Sequence, residues 1–212
     1  MECMSTSDSD RVDDALTADR ILEAARGQVR RFGEAKTNVV DIAKALGTSH
    51  STIYRHFRSK ADVFDAIVSA AMRDEEFLGA TFVEGDGPAA DRLQGLVMAL
   101  HRRKVERFVN DMELYLLYRR VVEDRPELIR RYAEAMTSLV AAILADGVKR
   151  GEFAITNIPA AAGVVRDAVT VFIHPAHVQA AAKAGASMEL NIRRTMTVLI
   201  RAFKAGVTLD EA

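Results

Sequence analysis

The chain has 212 residues, of which 49% are hydrophobic and 28% charged, and its formal net charge at pH 7 is −1. This composition is typical of a folded globular protein and excludes wholesale disorder. The single cysteine, Cys3, excludes an internal disulfide and a zinc site built on several cysteines. No run of about 18 apolar residues occurs, so we expect no membrane span. The start of the chain has no apolar segment of the secretory type, so we expect a cytoplasmic protein.

The pattern of apolar residues predicts an all-α fold, because they recur at steps of three and four and only four prolines interrupt the chain. Segment 174–187 is rich in Ala, Gly and Lys, and we expect a loop there, whose helical content the sequence leaves open. The apolar residues from Met98 to Arg119 recur at helical spacing, and we expect a helix there with a bend or break near Phe108. The other predicted helices cover residues 17–32, 39–46, 50–57, 60 to about 73, 126–150, 159–172 and 188–203.

Charge is distributed unevenly along the chain. Residues 1–16 carry one basic and five acidic side chains, and we expect a disordered acidic tail. Residues 17–72 carry nine basic and six acidic side chains, whereas residues 73–212 carry 19 of each. The positive excess therefore lies in one N-terminal block, which is compatible with a partner that bears phosphates.

A helix-turn-helix is predicted where two short helices meet at Leu46-Gly47-Thr48-Ser49. Gly47 allows the sharp turn, and Ser49 is a hydroxyl N-cap for the second helix, which in this motif enters the major groove of DNA. The outward face of that helix carries three short polar side chains that can reach base edges: His50, Ser51 and Thr52. Contacts to the phosphate backbone are expected from Tyr54, His56, Lys60, Thr37 and Asn38. Ser49 also belongs to the expected DNA-binding set.

The sequence around this motif resembles the TetR family of bacterial transcriptional repressors. The matching runs are Arg20-Ile21-Leu22-Glu23-Ala24-Ala25, Phe32-Gly33, Ile42-Ala43, Leu46-Gly47-Thr48-Ser49, Ile53-Tyr54-Arg55-His56-Phe57 and Ser59-Lys60-Ala61-Asp62-Val63-Phe64. The resemblance is specific over residues 17–70 and covers the rest by length and helical pattern. It implies a homodimer that binds operator DNA, with a DNA-binding domain at 17–73 and a helical ligand-binding and dimerisation domain at 74–212. By position in the motif, it also implies base reading by His50, Ser51 and Thr52, and phosphate contacts from Thr37, Tyr54, His56 and Lys60.

The resemblance further implies a repressor that an unknown small molecule releases from its operator. Adaptable apolar and convergent polar side chains are the candidate lining of the ligand pocket: Met98, His101, Phe108, Met112, Tyr115, Tyr118, Arg119, Tyr132, Met136, Phe172 and His174. The dimer face is expected on the last two helices, with Ala161, Val165, Ala168, Val169, Ile192, Met196, Leu199 and Phe203. Ordinary core packing would produce the dimer pattern equally well, and a stripe of Met and aromatic residues at helical spacing is more often core than pocket.

Other chemistry is not indicated. His174 and His177 form an H-x-x-H pair that, with His101, has the residue type of a metal site, but histidines in an Ala-rich loop are more simply solvated. We expect no metal and no cofactor. No phosphate-binding glycine loop, nucleophile elbow or H-E-x-x-H run occurs, so we do not expect the protein to be an enzyme. Two alternatives stay open: a TetR-like regulator without an inducer, acting through a protein partner or as an activator, and a helical ligand-binding or structural protein that no longer reads DNA.

Overall fold

The computed structural model describes residues 17–209, and every regular element in that range is a helix, which confirms the predicted all-α class. The predicted tail at 1–16 and Cys3 lie outside the described residues. The helices are α1 (Ala18–Lys36), α2 (Val39–Leu46), α3 (His50–His56), α4 (Lys60–Val83), α5 (Ala89–Asn110), α6 (Met112–Asp124), α7 (Pro126–Lys149), α8 (Ile158–Ile173), α9 (Pro175–Lys183) and α10 (Glu189–Ala205).

The chain divides into two compact units. Within the described range, the first unit holds residues 17–71 and 111–121, and the second holds residues 72–110 and 122–209. The boundary between the units therefore falls inside α4, at the junction of α5 and α6, and inside α6. The assignment of DNA binding to residues 17–73 and of ligand binding to 74–212 stays a prediction.

In the first unit, α1 packs on α2, and α2 packs on α3. The Thr17 side chain caps α1 by accepting a hydrogen bond from the Arg20 N–H at 3.3 Å. Ile21, Ala25 and Val29 are buried on one face, as their spacing predicts. Gly33 has a φ of 76°, a left-handed value that favours glycine, so the predicted helix end is a kink inside a longer α1.

In the second unit, α5 contacts α7, α8, α9 and α10, and α8 packs on α7 and α10. The shared core is built mainly from Leu, Val, Ile, Met and Phe side chains of these helices and from Phe153 and Ile155, which follow α7. Pro159 lies in the first turn of α8, where its missing N–H costs no hydrogen bond, and the Asn157 side chain caps that helix.

Three further predicted helix boundaries differ from the structure. The fourth helix continues to Val83 instead of ending near Arg73. The break expected near Phe108 falls at Asp111, between α5 and α6. The loop expected at 174–187 is largely α9, because Pro175 suits the first turn, the His174 ring accepts a hydrogen bond from the Ala176 N–H at 3.3 Å, and alanines favour helix.

Candidate nucleic-acid interface and ligand groove

The turn between α2 and α3 has the geometry of a helix-turn-helix. Gly47 ends α2 in the left-handed conformation, with a φ of 67°. The Ser49 hydroxyl accepts a hydrogen bond from the Thr52 N–H at 3.2 Å and so caps α3. Ile42 on α2 and Ile53 on α3 are fully buried. Local turn chemistry and two core side chains therefore fix the direction of α3.

The polar face of α3 is exposed. His50, Ser51 and His56 are exposed, and the Tyr54 side chain is 46% exposed despite its size. The rings of His50 and Tyr54 meet edge to face, with centroids 6.2 Å apart, and the Ser51 hydroxyl lies 2.7 Å from the Ser49 hydroxyl. This short helix thus presents aromatic and hydroxyl groups together, with hydrogen-bonding capacity suited to DNA.

Two further predicted contacts lie at helix starts. Exposed Asn38 caps α2, because its side-chain oxygen accepts a hydrogen bond from the Asp41 N–H at 3.1 Å. Lys60 begins α4 and is half-buried, with its ammonium 5.3 Å from the centre of the Phe64 ring. The Ser59 hydroxyl accepts from the Asp62 N–H at 3.1 Å, as the predicted capping box requires.

The geometry does not support side-chain contacts from Thr37 and Thr52. The Thr37 side chain is 1% exposed, and its hydroxyl donates to the Gly33 carbonyl oxygen at 2.8 Å. The Thr52 side chain is 3% exposed, and its hydroxyl lies 2.9 Å from the Ser49 hydroxyl. Both are used inside the fold, where they satisfy cap and helix-end groups.

Sequence reasoning missed three exposed cations of the first unit: Lys44 on α2, Arg55 on α3 and Arg58 in the α3–α4 connection. Each is a long basic side chain near the recognition helix in sequence. Counting them individually, instead of by net charge, would have identified them as candidate phosphate contacts.

Segment 111–121, the larger part of α6, is joined to α1 by ion pairs. The Arg30 guanidinium donates to the Asp111 carboxylate at 2.7 Å, and the Arg120 guanidinium donates to the Glu34 carboxylate at 2.9 Å. The Glu113 carboxylate lies so close to Gly33 that an added Cβ would come within 2.8 Å of its oxygen. The absence of a side chain at Gly33 therefore leaves space for the Glu113 carboxylate.

The second unit contains a buried ionic cluster that periodicity did not reveal. Glu75 on α4 is fully buried, and the Lys104 ammonium donates to its two carboxylate oxygens at 2.6 and 2.8 Å. The Tyr132 hydroxyl donates to the same carboxylate at 2.6 Å, and Arg107 lies 3.3 Å from it. Burial raises the pKa of Glu75, but Lys104, Arg107 and the hydrogen bonds outweigh it and lower that pKa below 4.5. Burial lowers the pKa of Lys104 to about 8.

The predicted ligand residues are divided between the two units, and most of them are buried. Met98, Met136 and Phe172 are core residues of the second unit, with Tyr132 packed against them, and Phe108 is buried as well. His101 is also buried, and its Nδ1–H donates to the Phe172 carbonyl oxygen at 2.8 Å. His174 caps α9. The remaining four belong to segment 111–121 of the first unit: Met112, Tyr115, Tyr118 and Arg119. Most of the Met and aromatic residues that we expected to line a ligand pocket are therefore buried side chains.

An open groove of about 470 Å³ does exist in the second unit, between α5, α9 and the start of α10. Of the predicted ligand residues, it is lined by His101 alone. Valines and alanines form much of its wall, together with the Arg102–Glu189 ion pair, whose N–O distances are 2.9 and 3.2 Å. The lining residues are His101, Arg102, Val105, Glu106, Val109, Asn110, Val178, Ala181, Ala182, Ala186, Ser187, Met188 and Glu189.

Most of the predicted dimer residues belong to the core of the single chain, so their side chains present no surface to a second copy. Six are buried within the chain: Ala161, Val165, Val169, Ile192, Met196 and Phe203. Ala168 and Leu199 are partly exposed. The same two helices expose other apolar side chains, namely Val164 and Val171 on α8 and Leu190 and Val198 on α10.

The histidine pair shows no metal-site geometry. The His174 and His177 rings lie 5.4 Å apart between centroids, and burial together with His177 lowers the pKa of His174. Within residues 17–209, no three His, Cys, Asp or Glu side chains are grouped so that they could hold a metal ion. None of the helices in that range is long and apolar enough to cross a bilayer.

Comparison with known proteins agrees with the helix-turn-helix geometry. A family model described as bacterial regulatory proteins, tetR family, matches residues 21–67, and one described as tetracyclin repressor-like, C-terminal domain, matches residues 89–191. The probable HTH-type transcriptional regulator ArpR of Pseudomonas putida is 25% identical over 171 residues, which cover 74% of this chain and 76% of that protein.

Solved structures show the same fold. FadR of Thermus thermophilus, a TetR family repressor in complex with lauroyl-CoA, has a TM-score of 0.64 at 20% identity and covers 92% of this chain and 97% of its own. FadR of Bacillus subtilis, in complex with stearoyl-CoA, has a TM-score of 0.57 at 16% identity, with 91% and 100% covered. The likeness at these identities concerns the fold alone. Because the two family models, at residues 21–67 and 89–191, together span most of the chain, the protein belongs to the TetR family of transcriptional regulators.

Proposed function

We propose that the protein is a homodimeric repressor that binds a palindromic operator through α3 and that a small molecule bound in the second unit releases it. It would act on DNA in the cytoplasm. The observation that supports DNA reading best is the exposed polar face of α3 above buried Ile53. His50 and Ser51 have the size and hydrogen-bonding groups to read base edges, and Tyr54 and His56 can donate to phosphates.

Phosphate contacts would supply most of the affinity. Lys60 carries its charge at the start of α4, where free backbone N–H groups also favour an anion. Asn38 is exposed at the start of α2, and Lys44 and Arg58 add two exposed cations. Each neutralised phosphate releases counterions, so we expect affinity to fall steeply as salt rises.

Dimerisation follows from the way two recognition helices read DNA. Half-sites in successive major grooves lie about 34–36 Å apart, and one short α3 would bind weakly alone. Val164 and Val171 on α8 are 38% and 42% exposed, and Val198 on α10 is 66% exposed. Exposed apolar side chains on two neighbouring helices suit a contact with a second copy. We therefore assign the dimer face to these residues instead of the buried set.

The groove beside α5 is the proposed ligand site, because its volume lies in the range of about 300–1,000 Å³ typical of small-molecule pockets. The two FadR proteins bind acyl-CoA, whose phosphates need cationic partners. Arg102 is the one guanidinium or ammonium group in the lining, and it is already paired with Glu189. We therefore do not extend the acyl-CoA ligand to this groove.

Ligand occupancy would act through the chain segments that pass from one unit to the other. These lie within α4, at the 110–111 junction and within α6. The ligand shifts the equilibrium only by its difference in affinity between the two states. A coupling free energy of about 1–3 kcal/mol is enough to change DNA affinity by about 5- to 150-fold.

The proposal is tested by fluorescence anisotropy on an operator recovered from random duplexes. Lys60→Gln is expected to weaken binding to all sequences alike and to reduce the salt slope by about 1. Ser51→Ala is expected to relax base preference at one position in each half-site. The matched control is Lys149→Gln, which removes an exposed charge at the end of α7. Equal effects of Lys60→Gln and Lys149→Gln would contradict the assignment of the interface.

A further inference from the structure

The groove between α5, α9 and the start of α10 has a lining whose chemistry favours one class of ligand. We propose that it binds a compact apolar molecule that carries a single positive charge. This inference rests on the function proposed above, because it names the chemistry of the molecule that would regulate the repressor.

The wall of the groove accommodates an apolar body. Val105, Val178 and Met188 contribute apolar side chains, and Ala181 and Ala182 are too small to fill the space beside them. Val109 lies at the end of α5 and is 67% exposed, so a large part of an apolar side chain is uncovered there. A bound apolar molecule would remove this surface from water.

The charges of the groove select the sign of the ligand. The carboxylate of Glu189 is satisfied by a two-pronged contact with Arg102 and lies 3.9 Å from Arg193. Glu106, in contrast, makes no hydrogen bond or ion pair with any of the residues in 17–209. The unpaired charge that a ligand would meet in the lining is therefore a carboxylate.

Neutral acceptors extend the same surface. Asn110 lies four residues after Glu106 and thus on the same face of α5, and it too has no partner within the described range. Ser187, in the connection to α10, is likewise without one. A cation placed near Glu106 would be attracted, whereas an anion of the same shape would be repelled.

The position of the groove suits a regulatory ligand. Val109 and Asn110 lie in the last turn of α5. The next residue, Asp111, accepts a hydrogen bond from the Arg30 guanidinium of α1 at 2.7 Å. A ligand seated against this last turn therefore binds one residue before a segment that belongs to the helix-turn-helix unit.

Two ions of nearly equal shape and opposite charge provide the test. The full chain, free of DNA, is titrated by calorimetry with tetraphenylphosphonium chloride and with sodium tetraphenylborate in about 0.15 M sodium chloride. We expect the phosphonium to bind at least about tenfold more tightly than the borate. Glu106→Gln is expected to weaken phosphonium binding about three- to tenfold, whereas Glu84→Gln, an equal charge change outside the lining, leaves it unchanged.

A second variant tests the location. Ala186→Trp places a large ring in the exposed connection that borders the groove and is expected to abolish phosphonium binding while the circular dichroism spectrum stays that of the wild type. Equal affinity for the two ions, or equal effects of Glu106→Gln and Glu84→Gln, would overturn the proposal, as would phosphonium binding that survives Ala186→Trp. Operator binding by the ligand-free chain is measured separately, so its failure would contradict the proposed function and leave this titration intact.

Discussion

Replacing Glu75 with glutamine removes the one negative charge from the buried cluster in the second unit. The substitution keeps the shape of the side chain, but Lys104 and Arg107 then face a neutral amide. Glu75 is fully buried and Lys104 is 2% exposed, so solvent screens this interaction poorly. The change therefore isolates the charge of Glu75 with little loss of packing.

The expected cost is large for a single substitution. Two unit charges whose centres lie about 4 Å apart attract each other by about 4 kcal/mol at an effective dielectric constant of about 20. Breaking a buried pair by removing one partner typically costs about 3–5 kcal/mol. We expect Glu75→Gln to lower the free energy of unfolding by about 3 kcal/mol, which for a chain of this size is a fall in Tm of about 10 °C.

Urea denaturation at pH 7, followed by circular dichroism, measures the effect. The matched control is Glu134→Gln, which removes an exposed partner of Arg130 and is expected to change stability little. In the double variant Glu75→Gln with Lys104→Met, part of the loss should be recovered, because the buried cation is removed as well. A loss below about 1 kcal/mol for Glu75→Gln would refute the reasoning.

Three other predictions concern backbone geometry, assembly and pH. Gly47→Ala should destabilise the protein by about 1 kcal/mol in thermal melts, because the φ of Gly47 is 67°, a left-handed value that alanine adopts only with strain. Gly27→Ala is the control: an added Cβ has open space at both positions, but Gly27 lies inside α1, so alanine there should stabilise the protein by up to about 1 kcal/mol. Val198→Asp should yield monomers in sedimentation equilibrium, and a persistent dimer would exclude this face. The pKa of Glu75 is below its usual 4.5 and that of Lys104 is about 8, so the stability difference between wild type and Glu75→Gln should be full between about pH 4.5 and 8 and shrink as the pH falls further below 4.5. A constant difference in urea melts down to low pH would contradict this.

The features that sequence predicted well depend on neighbouring residues. The cap at Ser49, the left-handed turn at Gly47 and the buried positions of Ile42 and Ile53 all follow from local chemistry and helical spacing. The family resemblance over residues 17–70 rests on the same residues. The exposed face of α3 was predictable because two buried isoleucines fix which side faces inward.

The features that sequence did not predict depend on which residues, distant in the chain, pack against a given face of a helix. Periodicity identified Ala161 and Ile192 as buried but not whether their own chain or a second copy covers them. Glu75 and Lys104 are 29 residues apart, and charged residues are ordinarily assigned to the solvated face. Helix α9 was missed because a short segment rich in alanine has no apolar stripe, and its start depends on a histidine ring that caps it.

The most direct test of the account is selection of random duplex DNA on the ligand-free protein at two salt concentrations. The account predicts a palindrome with half-sites about one helical turn, or a multiple of it, apart and with affinity that falls steeply with salt. The same selection with Tyr54→Ala should recover the palindrome more weakly. Recovery of no common sequence by folded, ligand-free dimer would contradict the claim that the exposed face of α3 reads an operator.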